Sequence, residues 1–201
     1  YLMAYENQLV LTGELNDVGS PIRTNVPESY RTGIELQAQI DIVGGLYWKP
    51  NLTLSQNQIT AFNEVLYDYT LGFDVIEIAH QNTDIAFSPS VIGGSQIGYK
   101  TKFGLEGVLL TKYVGKQYLD NTSNEDRGNE DYLVNDIRLT YSVKTERLKN
   151  LELSLLVNNV LNELYSSNGY TYSYVFGETT TENFYYPQAG TNWLLGLKVK
   201  F

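Results

Sequence analysis

Three groups of side chains in this sequence have types and spacings that could do chemistry. Between residues 162 and 189 lie Tyr165, Tyr170, Tyr172, Tyr174, Phe176, Phe184, Tyr185 and Tyr186. Rings exposed on a long loop suit contact with an apolar or chelated ligand, because loops on a rigid scaffold carry binding function. The same rings could instead pack under the loop. Asp120, Asn121, Asn124, Glu125 and Asp126 gather hard oxygen donors of the kind that hold Ca²⁺, but without the glycine-pinned loop of an EF-hand. A solvated acidic loop is the plainer reading, and no metal site is expected. His80, the one histidine, stands between Ala79 and Gln81 in an expected outer loop. It could touch haem or a metal chelate, or be an ordinary surface residue. A small chelate ligand is therefore expected at Tyr170, Tyr172, Tyr174, Phe176, Tyr185 and His80.

Composition excludes much else. The absence of cysteine removes disulfides, thiolate metal sites and cysteine nucleophiles. Across 201 residues, 14 Lys+Arg stand against 23 Asp+Glu, and 14 − 23 gives −9. That balance excludes a nucleic-acid-binding footprint. No catalytic dyad, nucleophile elbow or phosphate loop is present, so neither an enzyme nor a resident cofactor is expected. No apolar run approaches the ~20 residues of a spanning helix. Seventeen tyrosines, 17 glycines and only 18% charged residues read as tyrosine-rich all-β.

Such groups need strands to position them, and period-two alternation supplies the signal. One face of 30–42 carries Tyr30, Thr32, Ile34, Leu36, Ala38, Ile40 and Ile42; the other carries Arg31, Gly33, Glu35, Gln37, Gln39 and Asp41. Leu46, Trp48, Leu52 and Leu54 alternate with Tyr47, Lys49, Asn51 and Thr53. Leu133, Ile137, Leu139, Tyr141 and Val143 oppose Asp136, Arg138, Thr140 and Ser142, and Leu151, Leu153, Leu155 and Val157 form a shorter set. The last run sets Trp193, Leu195, Leu197, Val199 and Phe201 against Gly196, Lys198 and Lys200. With less regular strands near 1–11, 91–101 and 105–118, about eight are expected.

A soluble sandwich would also alternate. Two features favour a membrane barrel. In the clear strands every charge sits on one face, as required when the other meets lipid, where a Lys or Arg at the midplane costs ~2–4 kcal/mol. Short links at Gly44-Gly45, Lys102-Phe103-Gly104 and Thr145 to Asn150 alternate with long polar ones near 68–88, 119–130 and 162–189. Trp48 and Trp193, at strand ends with Tyr47, Tyr185 and Tyr186, suit an interfacial girdle. Tyr1 opens without a charged, apolar and small-residue leader pattern, as expected of a mature or truncated chain.

The segments Asn7-Gln-Leu-Val-Leu-Thr-Gly-Glu-Leu-Asn-Asp-Val-Gly, Ser29-Tyr-Arg-Thr-Gly-Ile-Glu-Leu, Phe87-Ser-Pro-Ser and Lys112-Tyr-Val-Gly-Lys-Gln-Tyr-Leu-Asp-Asn occur in this order. They are followed by Val157-Asn-Asn-Val-Leu-Asn and Tyr185-Tyr-Pro-Gln-Ala-Gly-Thr-Asn-Trp-Leu-Leu-Gly-Leu-Lys-Val-Lys-Phe. Together they resemble the late barrel strands of TonB-dependent outer-membrane receptors, in a style similar to those of Bacteroidetes. The resemblance implies an antiparallel transmembrane β-barrel, with residues 1–201 as the C-terminal third of a 22-stranded barrel and the plug absent. It implies a Gram-negative outer-membrane location and uptake of a scarce large nutrient, most often a ferric siderophore-type complex. The parent's partners would be membrane lipid, the TonB energy-transducing system, the barrel-assembly machinery and a small chelate ligand, with no nucleic acid. Arg31, Glu35, Asp41, Asp136, Arg138, Lys198 and Lys200 would face the lumen. Gly196, Val199 and Phe201 would form the terminal assembly signal, and the long links would be extracellular. An independent eight-stranded outer-membrane barrel with a structural or adhesive role remains the alternative.

Overall fold

The computed structural model describes residues 1–143 and 149–200, and about three quarters of them are strand. The strands are β1 (Leu2–Leu15), β2 (Pro21–Gln37), β3 (Ile40–Val43), β4 (Leu46–Asp68), β5 (Asp74–Asp84), β6 (Val91–Lys100) and β7 (Leu105–Val114). They continue as β8 (Gln117–Tyr118), β9 (Gly128–Asn129), β10 (Tyr132–Val143), β11 (Asn150–Asn158), β12 (Ser166–Phe176), β13 (Glu178–Pro187) and β14 (Asn192–Lys200). One antiparallel path runs β1-β2-β4-β6-β7-β10-β11-β14. These are the eight expected strands in order, forming an open wall with β1 and β14 at its two edges. Phe201 and most of the Thr145–Asn150 link lie outside the described residues.

Register converts the alternation into a belt. Ile40, Trp48, Ile97, Leu109, Ile137, Val157 and Trp193 are cross-strand partners in one unbroken row. The next row toward the short turns is Leu46, Tyr99, Gly107, Leu139, Leu155 and Leu195. Leu105, Tyr141, Leu153 and Leu197 form the row beyond it. These side chains face outward with nothing over them; Leu195 and Leu197 are 65% and 68% exposed. An apolar patch this wide is not stable in water at ~25 cal/mol per Å². From Leu133 to Val143 the strand rises about 33 Å at ~3.3 Å per residue. Tilted by about 40°, that gives about 25 Å, the height of a barrel's lipid-facing band. Polar outward groups within the band are paired: Thr111 Oγ1 donates to Asn135 Oδ1 at 2.7 Å, and Trp48 Nε1 donates to Ser95 Oγ at 2.9 Å.

Among the described residues, conventional cores occur only on the long-loop side of this belt. One comprises Val10, Val26, Ile59 and Ile85 with Phe62 against them, the other Val114, Tyr132 and Val134 with Tyr165. Two expected loops are hairpins here. β4 continues to Asp68 and returns as β5, and β12–β13 occupies most of 162–189. Tyr170, Tyr172 and Tyr174 alternating with Thr171 and Ser173 form a half-buried strand whose inner face is hydroxyl rather than aliphatic. A search for apolar residues passes over that pattern.

Candidate functional site

Above the belt the side-chain alternation changes phase. Asn7 and Asn82 adopt left-handed backbone, each at φ 53°, and the ladder skips Pro27 opposite Asn7 and Thr60 opposite Asn82. A left-handed residue inside a strand re-aims the side chains beyond it, as bulges do. In β4 the buried positions pass from Asn57 and Ile59 to Leu66, and in β2 from Ser29 to Val26. Glu64, Phe62 and His80 consequently point into the space that the long loops cover.

The 115–131 segment is pinned there by its own polar groups. Asn121 Oδ1 accepts from Ala86 N at 2.9 Å while its amide donates to the Leu11 carbonyl at 2.5 Å. Ser123 Oγ accepts from Asp84 N at 2.7 Å. Gly13, at φ +95°, makes the approach to β1 possible, since a Cβ there would stand 2.7 Å from Asp120 Cβ. Asp120 and Glu64 meet on Arg127, whose guanidinium lies 2.7 Å from Asp120 Oδ2 and 2.5 Å from Glu64 Oε1. The Arg127 side chain is only 6% exposed. Burial opposes its charge, but the two carboxylates outweigh that and hold its pKa above the ordinary value. His80 completes the chain: its Nε2 is 2.8 Å from Glu64 Oε2, and its ring stacks on Phe62 at 5.1 Å. Farther out, Glu125 takes Lys116 as an ion-pair partner and accepts from Tyr118 Oη at 2.6 Å. That hydrogen bond pushes the Tyr118 phenol up to about 12.

The β12–β13 hairpin closes the space. Tyr174 and Val175 pair in parallel with Tyr67 and Asp68, Asn183 Nδ2 donates to the Asp126 carbonyl at 2.6 Å, and Tyr185 Oη donates to the Gly128 carbonyl at 2.8 Å. Thr171 and Ser173 face inward. What remains is a partly open cavity of about 170 Å³, lined among others by Thr12, Glu14, Glu64, Asp120, Arg127 and Thr171. Glu14 has no hydrogen-bond or ion-pair partner for its carboxylate among the described residues. Burial, then Asp120 and Glu64, raise its pKa.

The expected ligand residues divide between two places. Tyr170, Tyr172 and Tyr174 lie on the other face of β12 in a ladder of rings: Tyr170–Phe184 at 4.8 Å, Tyr172–Phe184 at 5.9 Å, Tyr172–Tyr174 at 6.4 Å and Tyr174–Tyr69 at 6.5 Å. Phe176 is exposed at the hairpin tip, and Tyr185 serves the Gly128 contact. His80 is in strand β5, against the cavity wall, rather than in a loop. The oxygen cluster does not converge: Asp120 engages Arg127 and Thr122, Asn124 caps the short turn at Asp126, and Glu125 faces Lys116. Among the described residues, no group of three His, Cys, Asp or Glu side chains is placed to hold a metal ion.

On the wall, Arg31 donates to Asn57 and Ser88, each at 3.1 Å. Glu35 is paired with Thr53, Asp41 with Tyr47, Asp136 with Leu110, Arg138 with Val108 and Leu156, Lys198 with Glu152, and Lys200 with Asn150. All lie on the face opposite the belt. There Tyr47 lies flat over Gly98 and donates to Glu106 at 2.8 Å; a Cβ on Gly98 would stand 2.2 Å from the ring. Trp48 and Trp193 share one belt row, Val199 faces outward with the belt, and Gly196 lies opposite Ser154 on the polar face. Sequence reasoning singled out neither Glu14, Glu64 nor Arg127. The available signal was one basic residue inside the acidic run Asn124-Glu-Asp-Arg-Gly-Asn-Glu-Asp131.

An open antiparallel wall with a lipid-type belt and long outer hairpins defines a piece of a β-barrel. Residues 1–160 match the model of the TonB-dependent receptor-like β-barrel family, and the chain belongs to that family. No curated protein matches it. Among solved structures it is similar to the siderophore receptor PiuA from Acinetobacter baumannii (TM-score 0.61, 18% identity, 98% of this chain and 24% of that one). It is also similar to the ferric-catecholate import receptor Fiu from E. coli K12 (0.59, 17%, 96% and 23%). A third is the ferric yersiniabactin uptake receptor FyuA from Yersinia pestis (0.56, 19%, 92% and 25%). The chain spans about a quarter of the length of these receptors.

Proposed function

We propose that the chain forms the C-terminal portion of a receptor barrel, 22-stranded in the whole protein, in the outer membrane of a Gram-negative bacterium. The receptor takes up a scarce large nutrient, a ferric siderophore-type chelate, with energy from the TonB system, and is a transporter rather than an enzyme. The observation that carries this reading is the seven-strand apolar row, from Ile40 to Trp193, backed by a polar face in a chain of this family. In this reading Arg31, Glu35, Asp41, Asp136, Arg138, Lys198 and Lys200 grip a plug domain across the lumen. Trp48 and Trp193 anchor the wall in lipid. The edge strand carrying Gly196 and Val199, with the terminal residue Phe201 after it, is the signal that the barrel-assembly machinery engages. The loop-side hairpins, with Tyr170, Tyr172, Tyr174, Phe176, Tyr185 and His80, form the outer ligand region.

Deleting the gene and measuring radio-iron chelate uptake under iron limitation tests this. Loss of an energy-dependent uptake component, restored by the intact gene, is expected; unchanged uptake of every chelate offered contradicts it.

A further inference from the structure

Asn135 is the one carboxamide among the described outward positions of β6, β7, β10, β11 and β14, whose other members are apolar, glycine or hydroxyl-bearing. A carboxamide brings an oxygen acceptor and two N–H donors. Its oxygen is taken by Thr111 Oγ1, at 2.7 Å across the β7–β10 pair. That bond orients the group and leaves the nitrogen as its free end: among the described residues nothing accepts from Asn135 Nδ2. Leu133 and Ile137 flank it on the same face, 47% and 37% exposed, so the amide is framed by apolar side chains. Donors left unsatisfied in hydrocarbon are costly, because no water is there to take them, and a polar group held in a lipid face marks a contact. Depth says with what. Tyr113, the cross-strand partner of Leu133, donates to Asp131 at 3.0 Å, and Asp131 is exposed and charged just before β10. Asn135 follows Leu133 by two positions, about 5 Å deeper at ~3.3 Å per residue and a tilt of about 40°. Near that boundary of the hydrocarbon core a bilayer presents the carbonyl oxygens that join acyl chains to headgroups. No Lys or Arg shares the described outward positions of these strands, so headgroup phosphates are not the attraction.

Resting on the outer-membrane barrel reading above, we propose that Asn135 is a lipid-recognition residue, its Nδ2 donating to an acyl-linkage carbonyl of one outer-leaflet glycolipid. An acylated amino sugar suits it, because an amide-linked chain offers a stronger carbonyl acceptor than an ester-linked one. The chain then runs down the belt past Ile137 and its cross-strand partner Leu109. Thr111 is the positioning residue, holding the amide so that its donors stay turned toward the lipid.

The test is native mass spectrometry of the whole receptor, washed free of lipid in detergent and then offered equal amounts of outer-leaflet glycolipid, ester-linked phospholipid and ether-linked phospholipid. The glycolipid should rebind ahead of the ester lipid, and the ether lipid, which lacks the carbonyls, should be weakest. Asn135→Leu should cut glycolipid retention by about five-fold, the loss of one hydrogen bond, with the barrel still folded. Thr111→Val, which keeps the donors but frees the amide to turn, should cut it by less. Equal retention by the parent and a folded Asn135→Leu overturns the proposal, since the amide would then serve Thr111 alone. Equal retention of the ether lipid by the parent also overturns it, and that readout stands even where the variant does not fold. Equal retention of the ester phospholipid overturns the assignment to the glycolipid. A receptor that stays folded and soluble without detergent overturns the barrel reading itself.

Discussion

The two ends of this molecule are stabilised by different solvents. Below, the wall from β2 to β14 has almost no buried apolar side chain, because its apolar face is meant for lipid. Above, Val10, Val26, Ile59 and Ile85 form a water-protein core, and Arg127 ties the 115–131 segment to β4. The same backbone strands run through both regions. What changes is the phase of the side chains, reset at Asn7 and Asn82. A barrel strand can therefore serve two environments in succession without a domain boundary.

Changes that confuse the two environments should cost most. Arg127→Ala leaves Glu64 and Asp120 buried without a counter-charge, a loss of about 3–5 kcal/mol for such pairs. The cost falls on the loop side alone: hydrogen exchange in 119–131 should accelerate by about two to four orders of magnitude, while belt amides stay protected. Leu139→Arg, in the second belt row, should weaken folding in bilayers by ~2–4 kcal/mol, measured by urea unfolding. An arginine at exposed Val75 of β5 should instead stay within about 0.5 kcal/mol of the parent.

Smaller effects sharpen the contrast. Gly98→Val drives a side chain into the Tyr47 ring and breaks its bond to Glu106, at about 1–3 kcal/mol, with a changed tyrosine fluorescence. Glu14→Gln is milder than Gly98→Val and depends on pH. The Glu14 pKa is raised in the folded state, so the native protein binds its proton more readily than the unfolded chain. Its stabilising contribution is present below the ordinary carboxyl value of 4.5 and is lost as pH rises through the folded pKa. The variant should therefore be more stable than the parent at neutral pH, by at most about 1 kcal/mol given solvent access. The difference should fade below that value, which thermal melts across the pH range would resolve.

Legibility in the sequence has the same division. The belt is readable because each strand there repeats every two residues and all outward positions share one requirement. Ile137, Leu139 and Tyr141 announce their side without reference to any partner. The upper strands hide theirs. A reader counting by twos from Ile42 back to Tyr30 assigns faces correctly until Pro27 and Asn7, where the backbone changes phase. His80 looks like a loop residue because Gln81-Asn82-Thr83-Asp84 reads as a turn, yet Asn82 is a left-handed kink within a strand. Arg127 is invisible because its partners Glu64 and Asp120 are set by long-range packing, 63 and 7 residues away.

The most direct test of the central claim uses the absence of cysteine in this sequence. Single cysteines placed from Leu133 to Val143 of β10, in the receptor within its own membrane, can be spin-labelled and probed with lipid-soluble oxygen and a water-soluble relaxant. Labels at 133, 137, 139 and 141 should favour oxygen, and those at 136, 138 and 140 the aqueous relaxant, in strict alternation. Equal water access at both sets of positions would contradict a lipid-facing wall and the receptor reading with it.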